Sequence, residues 1–160
     1  MLFGSFVALG DSFTEGIGDP YPDGTYQGWA DRFARQLAAT SAGLSYANIA
    51  IRGKLVAQVI DEQVPVAIRL APDLVSIAAG GNDLLRPGAD PDALAAAFER
   101  AVTALRSAGC AVLLFTGFDP GGFPVIRLVR GKVAAYNAQL RQSRCRSVLR
   151  QTGAPPGCRT

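Results

Sequence analysis

Histidine is absent from this 160-residue sequence, and cysteine, methionine and tryptophan are scarce. The three cysteines, Cys110, Cys145 and Cys158, have neither the spacing of a zinc site nor the even number of a disulfide framework. We therefore predict free thiols, no metal and no other cofactor. The lack of histidine also removes the side chain that most often serves as a general base near neutral pH.

Long apolar runs and a basic leader are missing as well. The first apolar run, FVAL at residues 6–9, has only the length of a strand, and no positively charged segment precedes it. Neither a signal peptide nor a transmembrane span is predicted. The cytoplasm is therefore the expected location.

Acidic residues do not occur in the last quarter of the chain. Residues 1–119 carry 8 Lys and Arg against 13 Asp and Glu, a net charge of −5, whereas residues 120–160 carry 8 Lys and Arg and no acid, a net charge of +8. A basic end is typical of nucleic-acid or membrane-surface binding, but the arginines of residues 141–160 have no aromatic neighbours. We predict no nucleic-acid partner and interpret residues 142–160 as an irregular basic tail.

The rest of the chain, residues 1–141, alternates strand-like and helix-like segments. Short apolar runs predict strands at residues 6–9, 44–51, 73–79 and 111–116. Apolar spacings of three and four predict helices at residues 29–39 and 91–107. Helices are also expected from 55–60 onward and at 124–141, the last interrupted by Gly131. Asp90 is the predicted N-cap of the helix at 91–107. This order predicts one α/β domain with a mainly parallel, doubly wound sheet.

Three motifs lie at the ends of predicted strands, which is where α/β folds place ligands. They are GDSF at residues 10–13, NIAIRG at 48–53 and GGND at 80–83. Taken in this order, they resemble the SGNH (GDSL) hydrolase family of ester and acyl hydrolases over residues 6–141. The resemblance implies a flavodoxin-like three-layer α/β/α sandwich and a small-molecule ester or acyl substrate.

The resemblance also assigns roles to three residues. Ser12 would be the nucleophile, and the oxyanion hole would consist of the backbone N–H groups of Ser12 and Gly53 and the side-chain amide of Asn82. Glycine allows backbone to approach a substrate closely, and an amide donates hydrogen bonds without adding a full charge. We expect Asp11 to bond the backbone of its loop rather than to act as a base.

Three aromatic residues near the first motif have two interpretations. Tyr21, Tyr26 and Trp29 are expected to pack the first helix and its preceding loop, and an acyl pocket is the alternative. A third class of function, a nucleotide or flavin binder, is not favoured, because GDSFTEG has neither the P-loop lysine nor the Rossmann glycine spacing.

The sequence departs from the family at its catalytic base. Members supply this base from a DxxH motif near the C-terminus, and the motif is absent here. From residue 141 onward the sequence RQSRCRSVLRQTGAPPGCRT suggests a truncated or frame-disrupted end, so we expect the last strand and helix of the fold to be missing.

Because a general base contributes about 10²–10⁴-fold, the expected function is a serine ester hydrolase with weak or absent activity. The alternative is a non-catalytic ligand-binding pseudoenzyme that retains the acyl or ester pocket. No feature indicates an oligomeric state.

Overall fold

The structure, a computed structural model, describes residues 3–18, 20–116 and 130–152, and for residues 142–152 it describes the backbone alone. Its centre is one parallel sheet with the strand order β2-β1-β3-β4. The strands are β1 (Ser5–Gly10), β2 (Ser45–Asn48), β3 (Leu74–Ala78) and β4 (Ala111–Leu114). All four predicted strands and their parallel arrangement are confirmed, although β2 and β4 end earlier than predicted.

Helices connect the strands. They are α1 (Ser12–Glu15), α2 (Trp29–Thr40), α3 (Val56–Gln58), α4 (Val64–Leu70), α5 (Gly81–Leu84), α6 (Pro91–Ser107) and α7 (Arg130–Thr152). A π-helical segment, Val59–Gln63, joins α3 to α4. Helix α6 has the predicted bounds, and the Asp90 side chain caps it by accepting hydrogen bonds from the backbone N–H groups of Asp92 and Ala93. None of the helices in the described ranges is long and apolar enough to cross a membrane.

Helix α7 extends further than the predicted helix. The predicted helix ended near residue 141, but α7 continues to Thr152 and includes Gly131. Residues 132–152 contain no glycine or proline and many residues with good helix propensity, so nothing in the sequence stops the helix before Gly153. Residues 124–129 of the predicted helix and 153–160 of the predicted tail lie outside the described residues.

Side chains of β1 show that both faces of the sheet are covered. Phe6 and Ala8 pack against one apolar cluster together with Ala30 and Ala34 of α2. Val7 and Leu9 point to the other face, into a cluster built by α3, α4, α6 and α7. Alternation along a strand places neighbouring residues on opposite faces, so a strand buried on both faces is apolar throughout. The predicted three-layer α/β/α sandwich is confirmed.

The parallel sheet fixes where the motifs lie. Because β1, β2 and β3 run in the same direction, their carboxyl ends meet at one edge, and the loops with the three motifs leave from that edge. Within the described residues the sheet has four strands and α7 is the last helix. That the fold lacks a final strand and helix stays a prediction.

Candidate active site

Ser12 lies at the carboxyl end of the central strand β1, as the first residue of α1. Asp11 is the N-cap of α1, and its Oδ1 accepts a hydrogen bond of 3.1 Å from the Phe13 N–H. This is the backbone role expected for Asp11. The Ser12 side chain is half-buried, and its hydroxyl makes no hydrogen bond with any of the described residues. A ligand at this edge of the sheet would therefore meet an unengaged hydroxyl.

Gly10 and Gln63 hold the backbone that leads to Ser12. A Cβ at Gly10 would lie 2.3 Å from the carbonyl oxygen of Ala78, so only glycine fits there. The side chain of Gln63, from the π-helical segment, is 3% exposed. Its Oε1 accepts from the Gly10 N–H at 2.8 Å and its Nε2 donates to the Gly10 carbonyl at 2.9 Å. A buried amide therefore fixes both polar groups of Gly10, and the sequence analysis did not identify it.

Gly53 lies in the exposed loop after β2 and has a φ of +76°. No atom lies within 4 Å of the position of an added Cβ, so the positive φ rather than lack of space requires glycine here. The neighbouring Arg52 attaches this loop to α1. Glu15 accepts hydrogen bonds from the Arg52 backbone N–H at 2.6 Å and from its guanidinium Nη2 at 2.8 Å.

Asn82 of α5 connects the three motif loops. Its Nδ2 donates to the Lys54 carbonyl at 3.0 Å and to the Asp11 carboxylate at 3.4 Å. Lys54 follows Gly53, and Asp11 precedes Ser12. The structure therefore brings the segments that contain the three predicted site residues into one hydrogen-bonded network. Asp83, the next residue, strengthens it by accepting from the Val56 N–H at 3.0 Å.

Burial sets the electrostatics of this network. Asp11 is 7% exposed; its burial raises the pKa of the carboxyl, the negative charge of Asp83 raises it further, and backbone hydrogen bonds oppose the shift. Tyr136 of α7 is 2% exposed and donates from its hydroxyl to the Ala79 carbonyl at 3.2 Å. Its pKa is raised by burial first and by the carboxylates of Asp83 and Asp11 second. The Tyr136 hydroxyl therefore remains a neutral donor to the Ala79 carbonyl, three residues before Asn82.

Three aromatic rings, Phe13, Trp29 and Phe115, contact one another next to Ser12, and we refer to them as the aromatic cluster. The ring centroids of Trp29 and Phe115 are 4.2 Å apart. The Phe13 centroid is 6.0 Å from each of the other two. Trp29 packs α2 against the sheet, which agrees with its predicted packing role, while the sequence analysis did not connect it with Phe13 or Phe115.

Three solved structures have a fold similar to that of this chain. TesA is 23% identical with a TM-score of 0.73, and the match covers 98% of this chain and 85% of TesA. A catalytic mutant of Axe2, an acetylxylan esterase from Geobacillus stearothermophilus, is 21% identical with a TM-score of 0.75, covering 92% of this chain and 76% of Axe2. The psychrotrophic esterase EstA from Pseudoalteromonas sp. is 18% identical with a TM-score of 0.69, covering 91% and 74%.

Sequence comparison identifies the family. No curated protein matches the chain at a significant level of sequence similarity. The model of the GDSL-like lipase/acylhydrolase family, in contrast, matches residues 8–147, which is most of the chain. This chain belongs to the GDSL-like lipase/acylhydrolase family.

Proposed function

We propose that this chain is a carboxylic ester hydrolase with Ser12 as its nucleophile. Family membership supports ester hydrolysis as the general activity. The observation that supports the assignment of residues is the Asn82 amide, which donates to Asp11 and Lys54, the residues next to Ser12 and Gly53. A nucleophile and hydrogen-bond donors that converge on one position are what acyl transfer requires.

The proposed oxyanion hole consists of three donors. The backbone N–H groups of Ser12 and Gly53 donate to no other group among the described residues, which supports their use by a ligand. Both hydrogens of the Asn82 amide face protein acceptors, at 3.0 Å and 3.4 Å. The longer contact, to Asp11, exceeds the usual 2.7–3.2 Å of a hydrogen bond. We propose that this hydrogen turns to the developing oxyanion during the reaction.

Activation of Ser12 is the weak step of this mechanism. The sequence contains no histidine, and both oxygens of the neighbouring Asp11 carboxylate already accept hydrogen bonds. An oxyanion hole and substrate binding without a complete triad retain roughly 10³–10⁴-fold over water, whereas complete enzymes reach at least about 10⁶-fold. We therefore propose slow turnover by the chain of this sequence.

Hydrolysis of a short-chain nitrophenyl ester tests the proposal. The parent chain is compared with Ser12→Ala and with Ser45→Ala, a matched control for an exposed serine at the opposite end of the sheet. We expect turnover that is lost in Ser12→Ala and kept in Ser45→Ala. Equal, near-background rates in all three proteins would contradict a nucleophilic Ser12.

The absence of histidine also supports a second candidate, a non-catalytic domain that retains the ester-binding pocket. This domain would bind an ester or acyl compound without Ser12-dependent turnover. Binding of an intact ester by both the parent and Ser12→Ala, with background hydrolysis by each, would favour this function over the first.

A further inference from the structure

We propose that Glu15 is a positioning residue for the reaction at Ser12: its carboxylate fixes the loop of Gly53 relative to the nucleophile, so that the Gly53 backbone N–H can donate to the oxyanion. This inference rests on the proposed function, which assigns that N–H to the oxyanion hole. Glu15 ends α1, the four-residue helix that Ser12 begins, and its N–H donates to the Asp11 carbonyl at 2.9 Å. One short helix therefore carries both the nucleophile and the carboxylate.

Few contacts hold Gly53 itself. It is exposed, and within the part of the chain that the structure describes its N–H donates to no group. The turn around it is closed by a hydrogen bond of 3.4 Å from the Lys54 N–H to the Ile51 carbonyl, which is longer than the usual length of about 2.7–3.2 Å. Because glycine has more conformational freedom than any other residue, the position of its N–H depends on how its two neighbours are held.

Both neighbours of Gly53 are bound to other parts of the site. On one side, the Lys54 carbonyl accepts a hydrogen bond from the Asn82 amide at 3.0 Å. On the other side, Glu15 accepts a hydrogen bond from the Arg52 backbone N–H at 2.6 Å. These two anchors come from α5 and α1, and the second connects the loop to the helix that carries the nucleophile.

The side chain of Arg52 reinforces its backbone bond. The Glu15 carboxylate also accepts hydrogen bonds from the guanidinium, at 2.8 Å from Nη2 and at 3.0 Å from Nε, and the guanidinium lies 5.2 Å from the centre of the Tyr26 ring. Because the Arg52 side chain is 53% exposed, this ion pair adds little to stability. It acts mainly on geometry, by keeping the carboxylate oriented towards the backbone N–H.

A second ion pair in the same loop provides a matched control. Lys54 Nζ donates to the two carboxylate oxygens of Glu62 at 2.6 and 2.9 Å. Glu62 comes from the π-helical segment rather than from α1, and among the described residues it has no bond to the backbone of the loop. Glu62 therefore matches Glu15 in charge and in pairing but lacks the backbone contact.

The test measures the rate at which a fluorophosphonate modifies Ser12. In this reaction the Ser12 hydroxyl displaces fluoride and releases its proton to solvent, and the phosphonyl oxygen takes the place of the oxyanion. Removal of an oxyanion donor costs about 10²–10³-fold, so displacement of the Gly53 N–H in Glu15→Ala is expected to cost part of this, about 10- to 100-fold. Glu62→Ala should keep the rate of the parent.

The conservative variant Glu15→Gln should recover most of the lost rate, since its amide oxygen can still accept from the Arg52 N–H. All rates are measured under conditions in which urea unfolding shows each protein to be folded, so that lower stability alone does not slow the reaction. The order parameter of the Gly53 N–H, obtained from ¹⁵N relaxation, needs no reactive serine. It is expected to fall from about 0.85 to below about 0.6 in Glu15→Ala and to stay high in Glu62→Ala.

The outcomes keep this inference distinct from the proposed function. An unchanged order parameter in Glu15→Ala would overturn it, whether or not Ser12 is labelled. A lower order parameter with an unchanged rate, or an equal loss of rate in Glu62→Ala, would overturn it as well. If the parent itself is not labelled, the proposed function fails and the order parameter alone decides: a fall in Glu15→Ala but not in Glu62→Ala would still support Glu15 as the residue that holds the Gly53 N–H.

Discussion

The Gln63 amide provides a quantitative test of how the fold holds the loop of Ser12. The substitution Gln63→Met conserves the shape of the side chain but removes its hydrogen-bonding groups. The Gly10 N–H then loses the acceptor at 2.8 Å, whereas the Gly10 carbonyl still accepts from the Ile51 N–H at 3.1 Å. One buried donor is left without a partner and one carbonyl loses the second of its two hydrogen bonds.

The two losses set the expected magnitude. A buried donor without a partner costs about 1–3 kcal/mol, and a lost hydrogen bond costs about 0.5–1.5 kcal/mol, so Gln63→Met should lower the free energy of unfolding by about 1.5–4.5 kcal/mol. A protein of this kind is stable by only about 5–15 kcal/mol. The midpoint of urea unfolding should fall clearly, with little change in the slope.

Two further variants make this test specific. Gln36→Met introduces the same change on the exposed surface of α2, where an effect within about 0.5 kcal/mol is expected. Gln63→Glu should recover stability as the pH falls, because a protonated carboxyl offers one donor and one acceptor to Gly10, as the amide does. Equal unfolding midpoints for Gln63→Met and Gln36→Met would refute the role of Gln63.

Four other substitutions test the site loops. Burial raises the folded-state pKa of the Asp11 carboxyl, so the protonated carboxyl's contribution to stability is lost as the pH rises through that pKa. Asp11→Asn lacks this carboxyl and should therefore gain stability relative to the parent as the pH rises above about 3.9. Tyr136→Phe should lower the free energy of unfolding by about 0.5–1.5 kcal/mol, since it removes the hydrogen bond to Ala79. Gly53→Ala should lower the free energy of unfolding by about 1–2 kcal/mol because Gly53 has a positive φ. Gly81 lies in open space within α5, so Gly81→Ala should raise the free energy of unfolding by about 0.4–1 kcal/mol.

Urea unfolding across a pH series measures all four variants. A stability difference between Asp11→Asn and the parent that is constant from acid to neutral pH would show that the Asp11 carboxyl does not have a raised pKa. Opposite effects of Gly53→Ala and Gly81→Ala on the midpoint of urea unfolding would show that backbone conformation, rather than crowding, decides how each glycine tolerates a Cβ. Equal effects would contradict this explanation. An unchanged midpoint for Tyr136→Phe would mean that the hydroxyl bond to Ala79 contributes nothing to stability.

The central strands β1 and β3 could be predicted because parallel strands buried on both faces are continuous apolar runs. The end of β2 could not be predicted from the sequence, because the hydrogen bonds of one side chain determine it. Asn48 accepts a hydrogen bond from the Ala50 N–H and donates to the Thr14 carbonyl, and regular strand pairing ends at Asn48, three residues before the predicted end. The Ile49 and Ile51 N–H groups still donate to the carbonyls of Ala8 and Gly10 in β1. Long-range contacts of this kind leave no trace in hydrophobic periodicity.

Gln63 and Tyr136 were missed for different reasons. A signal for Gln63 was present, because it lies four residues after Val59 and four before Ala67, both of which are buried. A polar residue at this core-facing position indicates a buried hydrogen bond, but the π-helical segment that shifts the register is not visible in the pattern. Tyr136 lies in an amphipathic stretch of α7, and its contact with the Asn82 loop depends on how that helix packs.

The measurement that tests the central claim most directly is covalent labelling of Ser12. The purified chain and its Ser12→Ala and Ser45→Ala variants are treated with a serine-directed fluorophosphonate, and the adducts are located by mass spectrometry of the intact proteins and their peptides. The proposed role of Ser12 as nucleophile predicts one adduct per chain, on Ser12, in the parent and in Ser45→Ala, and none in Ser12→Ala. Labelling of Ser12→Ala to the same extent as the parent, or no adduct on Ser12 in any protein, would contradict that role.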